Sequence, residues 1–230
     1  MILDEIIEKR KIQLEREKSA VSDAEMKRSA ERSDRVPISF ADALRKDGLS
    51  VIAEVKKASP SKGLICHDFQ PADIAREYQR CGASAISCLT EEHYFMGSSD
   101  YLREIRKAVT LPILRKDFIF DAYQIYEAKV IGADAVLLIA AVHDTMRLSE
   151  LADIAHSLGL DVLAETHNER ELESVLAAGC DIVGINNRDL TTFNVSLETT
   201  KRLIGLIPDS KVKVSESGIK SGDDMRYVHK

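Results

Sequence analysis

From residue 51 onward, short apolar runs alternate with amphipathic stretches along the chain. The short runs are rich in β-branched and aliphatic residues and predict strands, whereas the stretches between them carry apolar residues at helical spacing. Repeated strand and helix units predict a parallel sheet. Seven strands are expected, at Val51 to Val55, Ala85 to Leu89, Pro112 to Arg115, Ala135 to Ile139, Asp161 to Ala164, Ile182 to Ile185 and Val212 to Val214. The helices expected between them include Pro71 to Cys81, Asp121 to Ile131, Thr145 to Leu158 and Glu169 to Ala178.

The first 48 residues have a different pattern. Apolar residues at helical spacing near the start predict an amphipathic helix that continues through Lys18. Residues 19–36 are polar and charged, and with Pro37 after them they predict a linker. The run Ile38 to Leu44 predicts a short second helix that ends near Asp47 and Gly48. We therefore expect an N-terminal helical extension over residues 1–48 and one βα domain of seven strands over residues 49–230.

Glycine recurs just before three of the predicted strands, at Gly82, Gly132 and Gly179. At these positions glycine can end a helix in the left-handed conformation. No Gly-x-Gly-x-x-Gly segment follows any strand, so a dinucleotide-binding open sheet is disfavoured. The pattern favours a (β/α)8 TIM barrel that lacks its last unit.

Composition excludes several classes of protein. The chain has 230 residues, 44% of them hydrophobic and 30% charged, which is typical of one globular domain. The formal net charge of -6 argues against broad binding to nucleic acid or to an anionic membrane surface. No apolar run approaches the roughly 20 residues of a membrane span, and the acidic N-terminal segment does not resemble a secretory signal. A cytoplasmic protein is expected.

Cysteine and histidine give no sign of a metal site. The four cysteines form no Cys-x-x-Cys pair, and we expect free thiols. The six histidines lack the spacing of a zinc motif. No metal or cofactor is predicted.

Two ionisable residues share one face of the first predicted strand. Side chains alternate across a strand, so Ile52, Glu54 and Lys56 lie on the same side. A buried strand cannot hold a carboxylate and an amine there without partners or a function. The segment Ser59 to Gly63 that follows is rich in small residues and predicts a loop.

Polar residues also follow most of the other strands. They include Thr90 to Glu92, Lys116 and Asp117, Glu165, Asn186 and Arg188, and Glu216 to Gly218. A single lysine at a strand end is usually a solvated rim residue. In a barrel, however, the carboxyl ends of the strands form the active site. Lysines, carboxylates, an amide and a hydroxyl at one mouth would suit acid and base chemistry on an anionic substrate.

Five ordered segments lie at or just after these strand ends: Glu54 to Gly63, Tyr94 to Ser98, Leu114 to Ile119, Gly184 to Leu190 and Ser215 to Ile219. In these segments the chain resembles the indole-3-glycerol phosphate synthase family of tryptophan biosynthesis. The resemblance runs from the N-terminal helix to about Ile219. It implies a lyase that closes the pyrrole ring of 1-(2-carboxyphenylamino)-1-deoxyribulose 5-phosphate with loss of carbon dioxide and water, and it implies no cofactor.

The resemblance also implies roles for individual residues. Lys116 would be the general acid that protonates the ketose carbonyl, with its pKa lowered by burial near other cations, and Glu165 a partner in later proton transfers. Lys56 would face the anthranilate carboxylate or take part in the dehydration, and Glu54 would orient a lysine. The remaining expected catalytic residues are Asn186 and Ser217, and the expected substrate-binding residues are Ser59, Phe95, Phe118, Arg188, Glu216 and Gly218.

Structural roles compete with some of these. The two phenylalanines could be core residues, and Arg188 with Glu216 could form an ordinary salt bridge. The N-terminal helix would cover the mouth or plug the barrel bottom. The loop from Lys57 to Gly63 would be a mobile flap over the substrate.

One departure from the family is expected. A further unit of roughly 20 to 25 residues would put the eighth strand just beyond Lys230, so the eighth βα unit is expected to be missing, with weaker binding of the substrate phosphate and open edges at the first and last strands. The alternatives are a working synthase, a truncated and catalytically impaired barrel, and a non-catalytic protein that pairs its open edge with a partner. Another phosphate-binding barrel enzyme, such as an isomerase of the same pathway, is a further alternative. We expect a monomer if the barrel is complete and self-association if it is truncated.

Overall fold

A computed structural model describes residues 2–46, 48–190 and 192–229 of the chain. Its main sheet has seven parallel strands in the order in which they occur in the sequence. These are β1 (Ile52–Val55), β4 (Ala85–Leu89), β5 (Ile113–Lys116), β6 (Ala135–Ile139), β7 (Asp161–Thr166), β8 (Ile182–Asn186) and β9 (Val212–Glu216). The order never reverses as it does in a doubly wound sheet. All seven predicted strands are confirmed, and the α/β fold is a half-barrel.

Helices connect the strands and cover the outer face of the sheet. They are α4 (Pro71–Arg80), α5 (Ser99–Ala108), α6 (Ala122–Ile131), α7 (Thr145–Ser157), α8 (Glu169–Ala177), α9 (Glu198–Ile204) and α10 (Gly222–His229), with a short 3-10 helix at Ala140–Val142. The four helices predicted by name are confirmed within a residue at each end. Their apolar faces pack on strand residues such as Ile86, Val136 and Val183 to form the larger core.

The inner face of the sheet has its own apolar core, which lies towards the amino ends of the strands. Leu114, Leu137 and Leu163 point into it, together with Phe40 from a helix that precedes the sheet. The carboxyl ends of the strands lie beyond this layer and carry the polar residues. The strand register brings Leu89 level with Lys116 and Asn186 level with Glu216.

Three helices precede β1: α1 (Ile2–Ala20), α2 (Asp23–Glu31) and α3 (Phe40–Leu44). The prediction of a linker over residues 19–36 is wrong, because α2 occupies part of it. Ser22 caps this helix by accepting from the backbone N–H of Glu25, and Met26 packs beside Tyr123 of α6. Only two of its side chains are buried, so its apolar pattern is too sparse to predict a helix from sequence.

The short helix α3 closes the amino end of the sheet. The backbone N–H groups of Phe40 and Ala41 donate to Asp161 Oδ2, at 2.7 and 2.9 Å, and Asp161 is the first residue of β7. The prediction of a helix here is confirmed, although it spans fewer residues. Its predicted end near Asp47 lies outside the described residues.

The segment after β1 is a small hairpin, and the predicted loop from Ser59 to Gly63 contains its turn. Strands β2 (Ala58–Ser59) and β3 (Gly63–Leu64) pair antiparallel, with Ser59 opposite Gly63. The N–H of Ala58 donates to the carbonyl of Phe95 at 3.2 Å. Backbone pairing with the next strand's loop therefore orders this segment.

In the described part of the chain, β1 and β9 are the two outermost strands of the main sheet. The final described segment forms the eight-residue helix α10. No described helix is both long enough and apolar enough to cross a membrane.

Candidate active site

A cavity of about 1340 Å³ runs along the inner side of the sheet, and its lining includes residues at the carboxyl ends of the strands. Residues Ile2, Leu3 and Ile6 of α1 form part of its wall. Every residue predicted for the site lies on this cavity: Glu54, Lys56, Ser59, Phe95, Lys116, Phe118, Glu165, Asn186, Arg188, Glu216, Ser217 and Gly218. The structure therefore brings together residues that are up to 164 positions apart in the sequence.

Lys116, the last residue of β5, lies among carboxylates. Its Nζ donates to Glu216 Oε2 at 2.8 Å and lies 3.5 Å from Glu54 Oε2. Burial alone would lower the pKa of this amine, but Glu216, Glu54 and Glu165 outweigh burial and raise it. The expected lowering of the Lys116 pKa is therefore wrong, because its neighbours are anions and not cations. At neutral pH this residue carries a proton that it can donate.

Glu54 links the two lysines of the cavity. Its Oε1 pairs with Lys56 Nζ and its Oε2 faces Lys116. Burial opposes ionisation of this carboxyl, yet Lys116 and Lys56 together hold its pKa below the usual value. The alternation of side chains along β1 brings both charged groups to the inner face, as the sequence predicts.

Glu165 near the end of β7 is almost completely buried. Its Oε1 accepts from Asn186 Nδ2 at 3.0 Å and lies 3.3 Å from His167 Nε2. Burial would raise the pKa of Glu165, but His167, Lys116 and Asn186 lower it instead. A buried carboxylate that stays ionised at neutral pH is available as a proton acceptor.

Glu216 at the end of β9 has fewer partners. Lys116 binds its Oε2, whereas no donor among the described residues binds its buried Oε1. Burial raises the pKa of Glu216, and repulsion from Glu165 adds to the rise. Gly184 of β8 makes room for this carboxylate, because a β-carbon at that position would lie 2.3 Å from Oε1.

The turn after β9 bends sharply. Ser217 has a φ of 65° and Gly218 a φ of 81°, both in the left-handed region. Asn187 holds this turn, since its Nδ2 donates to the carbonyl oxygens of Glu216 and Ser217 at 3.0 and 3.1 Å. A left-handed serine at the rim of a cavity is the kind of local strain that functional sites tolerate.

The apolar wall of the cavity comes from two aromatic rings. Phe95 and Phe118 have centroids 6.1 Å apart. Glu91 orders the loop that carries Phe95, because its carboxylate accepts from the N–H groups of His93, Tyr94 and Phe95. Both rings line the cavity and are only partly buried, and Phe118 also packs against the inner apolar core.

Arg188 does not form the salt bridge that the sequence allowed. Its Nη1 donates to the carbonyl of Phe193 at 3.2 Å, and no ion pair joins it to Glu216 among the residues described. Its backbone N–H donates to Asn186 Oδ1 at 3.0 Å, so it helps to orient the amide that faces Glu165.

Helix α1 lies over the carboxyl ends of the strands and not at the barrel bottom. Arg10 is completely buried, and its Nε and Nη2 donate to Asp117 at 3.0 and 3.2 Å. Arg115 donates to the same carboxylate at 3.0 Å. Because Asp117 directly follows Lys116, this buried charge cluster fixes both the helix and the end of β5 that carries the lysine.

Sequence reasoning missed several residues that support the site. His167 and Asn187 directly follow strand ends, and position alone could have identified them. Gly184 and Asp117 lie inside the segments that carry the family resemblance. Their supporting contacts join different strands, so only the folded chain reveals them.

The arrangement combines a proton donor, two carboxylates of opposite pKa shift and an aromatic wall. Such a site can protonate an oxygen, remove a proton and hold a flat ring in one water-poor cavity.

Comparison with known proteins agrees with this geometry. A family model described as indole-3-glycerol phosphate synthase matches residues 3–230. Indole-3-glycerol phosphate synthase from Lachnospira eligens is 52% identical over 235 residues, which cover 100% of this chain and 87% of that protein. The enzyme of the same name from Acetivibrio thermocellus is 50% identical over 230 residues, which cover 99% of this chain and 88% of that protein.

A solved structure of N-acetylmannosamine-6-phosphate 2-epimerase from Clostridium perfringens superposes with a TM-score of 0.60. The match has 14% identity and covers 86% of this chain and 87% of that one, so it bears on the fold alone. The sequence matches decide the family: this chain belongs to the indole-3-glycerol phosphate synthase family.

Proposed function

We propose that this chain closes the indole ring of indole-3-glycerol phosphate from 1-(2-carboxyphenylamino)-1-deoxyribulose 5-phosphate. One carbon–carbon bond forms, and carbon dioxide and water leave. The observation that carries the proposal is the protonated Lys116 held between Glu216 and Glu54, next to the wall formed by Phe95 and Phe118.

Lys116 acts first in the proposed reaction. As the aromatic ring carbon attacks the ketose carbonyl carbon, the carbonyl oxygen takes a proton from Lys116 Nζ and becomes a hydroxyl. Loss of the carboxylate as carbon dioxide then restores the aromatic ring. The hydroxyl leaves as water after a second protonation, and a base removes one proton to complete the pyrrole ring. A positioned acid or base of this kind typically accelerates a step by roughly 100- to 10,000-fold.

The other cavity residues bind and orient the substrate in this proposal. Phe95 and Phe118 hold the anthranilate ring by apolar contact. Lys56, on the same strand face as Glu54, meets the substrate carboxylate or assists the dehydration. The remaining predicted residues supply hydrogen bonds: Ser59, Asn186, Arg188, Ser217 and the backbone of Gly218.

A fluorescence assay of indole formation tests the proposal. With the carboxyphenylamino-deoxyribulose phosphate as substrate, the chain should produce the indole signal, and Lys116→Met should abolish it. Lys107→Met is the matched control, because Lys107 is exposed on the outer helix α5. Absence of turnover in a folded, monodisperse wild-type sample would sink the proposal, and full activity in Lys116→Met would remove the proposed acid.

We also propose that the seven-stranded half-barrel corresponds to seven units of a (β/α)8 barrel, with residues 1–48 as its N-terminal extension. The sequential parallel order supports this, since an eighth strand of such a barrel would lie between β9 and β1. A crystal structure would test the correspondence. The cytoplasmic location and the monomeric state of a complete barrel stay predictions.

A catalytically impaired barrel is the second candidate, and the outermost positions of β1 and β9 in the described sheet favour it. The same assay separates the candidates, because an impaired barrel would show a raised KM for the phosphorylated substrate. A non-catalytic protein that pairs its open edge would instead show a concentration-dependent mass in solution and no turnover.

A further inference from the structure

The cavity contains two carboxylates that differ in their surroundings. Glu165 receives a hydrogen bond from Asn186 and faces the ring of His167, whereas Glu216 has Lys116 alone and a buried oxygen without a donor in the described chain. When the surroundings of two nearby acids push their pKa values apart, one is suited to accept a proton and the other to donate one. The partners that create this difference are therefore part of the acid and base machinery.

His167 is the partner that distinguishes them. Its Nε2 lies 3.3 Å from Glu165 Oε1, and its Nδ1 lies 2.9 Å from Glu171 Oε2 on α8. Its side chain is 12% exposed. No hydrogen bond of good geometry satisfies the buried Nε2 among the described groups. The imidazole thus bridges two carboxylates, one in the cavity and one behind it.

Glu171 is itself held in place. Its Oε2 accepts from the backbone N–H of His167 at 2.8 Å, and its Oε1 accepts from Asn168 Nδ2 at 2.7 Å. Asn168 caps α8 by accepting from the N–H of Glu171 at 3.0 Å. Movement of this carboxylate away from the imidazole would therefore break both of these hydrogen bonds at the start of the helix.

We propose that His167, held by Glu171, is a positioning residue that keeps Glu165 ionised and oriented as the proton acceptor and so leaves the Lys116 and Glu216 pair as the proton donor. The inference rests on the proposed function for the identity of the reaction. In the dehydration, the Lys116 and Glu216 pair supplies the proton that leaves with the hydroxyl as water. Glu165 takes the proton that the forming pyrrole releases. One proton enters the substrate and one leaves it, so atoms and charge balance.

The electrostatics agree with the geometry. Burial would lower the pKa of His167, but Glu165 and Glu171 raise it to about 10. The charged groups around it are Glu165 on β7, Glu171 and Glu169 on α8, Arg202 of α9 paired with Glu169, and Lys116 on β5 beyond Glu165. At neutral pH the raised pKa keeps the ring an imidazolium, with Nδ1 hydrogen-bonded to Glu171 and Nε2 facing Glu165.

Variants that remove the charge test the inference. His167→Gln keeps an amide donor beside Glu165 but removes the cation, and Glu171→Gln keeps the hydrogen-bonding shape behind the ring but removes the anion. We expect the acidic limb of the kcat/KM pH profile to move up by about one pH unit or more in His167→Gln, and less in Glu171→Gln. KM at pH 8 should change less than about threefold, because His167 acts through Glu165.

His156→Gln, an exposed histidine on α7, is the matched control and should keep the wild-type profile. An unchanged acidic limb in both His167→Gln and Glu171→Gln would overturn the inference while the proposed function stands.

A second measurement does not need activity. Nitrogen-15 NMR of the wild-type imidazoles should show both nitrogens of His167 protonated at pH 8, with Glu171→Gln lowering the titration midpoint. A His167 that titrates near its ordinary pKa of about 6.5 would overturn the inference even if the wild type is inactive. An imidazolium that persists at pH 8 would support it in either case.

Discussion

Gly184→Ala tests whether β8 is shaped to hold the Glu216 carboxylate. The added methyl carbon would lie 2.3 Å from Glu216 Oε1 and 3.2 Å from Leu163 Cδ1. The carboxylate oxygen would have to move by about 1 Å to reach an ordinary contact distance. Its other oxygen is bound to Lys116 at 2.8 Å, so this movement pulls the carboxylate away from the proposed acid.

The expected cost to folding is small and the cost to catalysis is large. Overpacking costs typically 1–3 kcal/mol, and the lower end applies because the displaced atom is the end of a side chain. The loss of chain entropy in the unfolded state offsets about 0.4–1 kcal/mol of this. A net loss of about 0.5 kcal/mol should lower Tm by roughly 1–2 °C. A misplacement of about 1 Å at a reacting group can lower kcat by about 100-fold.

The measurements are thermal unfolding and steady-state fluorescence kinetics of the same preparation. Gly205→Ala is the control, because Gly205 has a φ of -71° and no atom lies within 4 Å of the position that its β-carbon would take. We expect the control to keep wild-type values of Tm and kcat. Wild-type kcat in Gly184→Ala would refute the argument that the Lys116 and Glu216 contact depends on this glycine.

Three further predictions concern stability. Asp134→Ala removes the carboxylate that accepts from Arg35, Arg106 and the start of β5, so the free energy of unfolding in urea should fall by about 3–5 kcal/mol. The control Asp153→Ala, at an exposed position, should lose about 0.5 kcal/mol or less. Similar losses in the two variants would refute a stabilising role for the buried network. Arg10→Met leaves Asp117 with one buried guanidinium, so the free energy of unfolding in urea should fall by about 3 kcal/mol and kcat should fall as well. An unchanged urea midpoint would contradict the role of Arg10 in holding α1 on the sheet. Protonated His167 stabilises the fold fully below its unfolded pKa of about 6.5, and this stabilisation is lost as pH rises through about 10. The urea midpoint should therefore fall more between about pH 6.5 and 9.5 in wild type than in His167→Gln. An equal fall of the midpoint in both proteins would contradict the raised pKa of His167.

Local pattern predicted most of the sheet. A parallel strand that is buried on both faces is a continuous apolar run, and the run Ala135 to Ile139 is a clear example. The candidate site was identified from the polar residues at the ends of these apolar runs. The carboxyl ends of parallel strands lie at one edge of the sheet, so such residues meet there. The sequence pattern did not predict helix α2, because Met26 and Ala30 are its only buried residues.

The electrostatics of the site could not be predicted from these patterns. The sequence shows Lys116 beside Asp117 and Arg115, which suggests a cationic neighbourhood, whereas the folded chain turns Arg115 outward to Glu127 and Lys116 inward to Glu216. Side-chain alternation along β5 separates the two cations. The sign of the pKa shift of Lys116 depends on residues 62 and 100 positions away.

The sequence by itself determined the order of the strands, the family and the set of residues at the strand ends, because these follow from periodicity and from ordered local motifs. Tertiary structure alone decided which charges meet. Glu54 and Lys56 are two residues apart and pair with each other at the end of β1. Their link to Lys116, and the contrast between Glu165 and Glu216, arise where different strands lie side by side. Pairing energies and desolvation depend on distance in space, and the chain fixes that distance only when the sheet has formed.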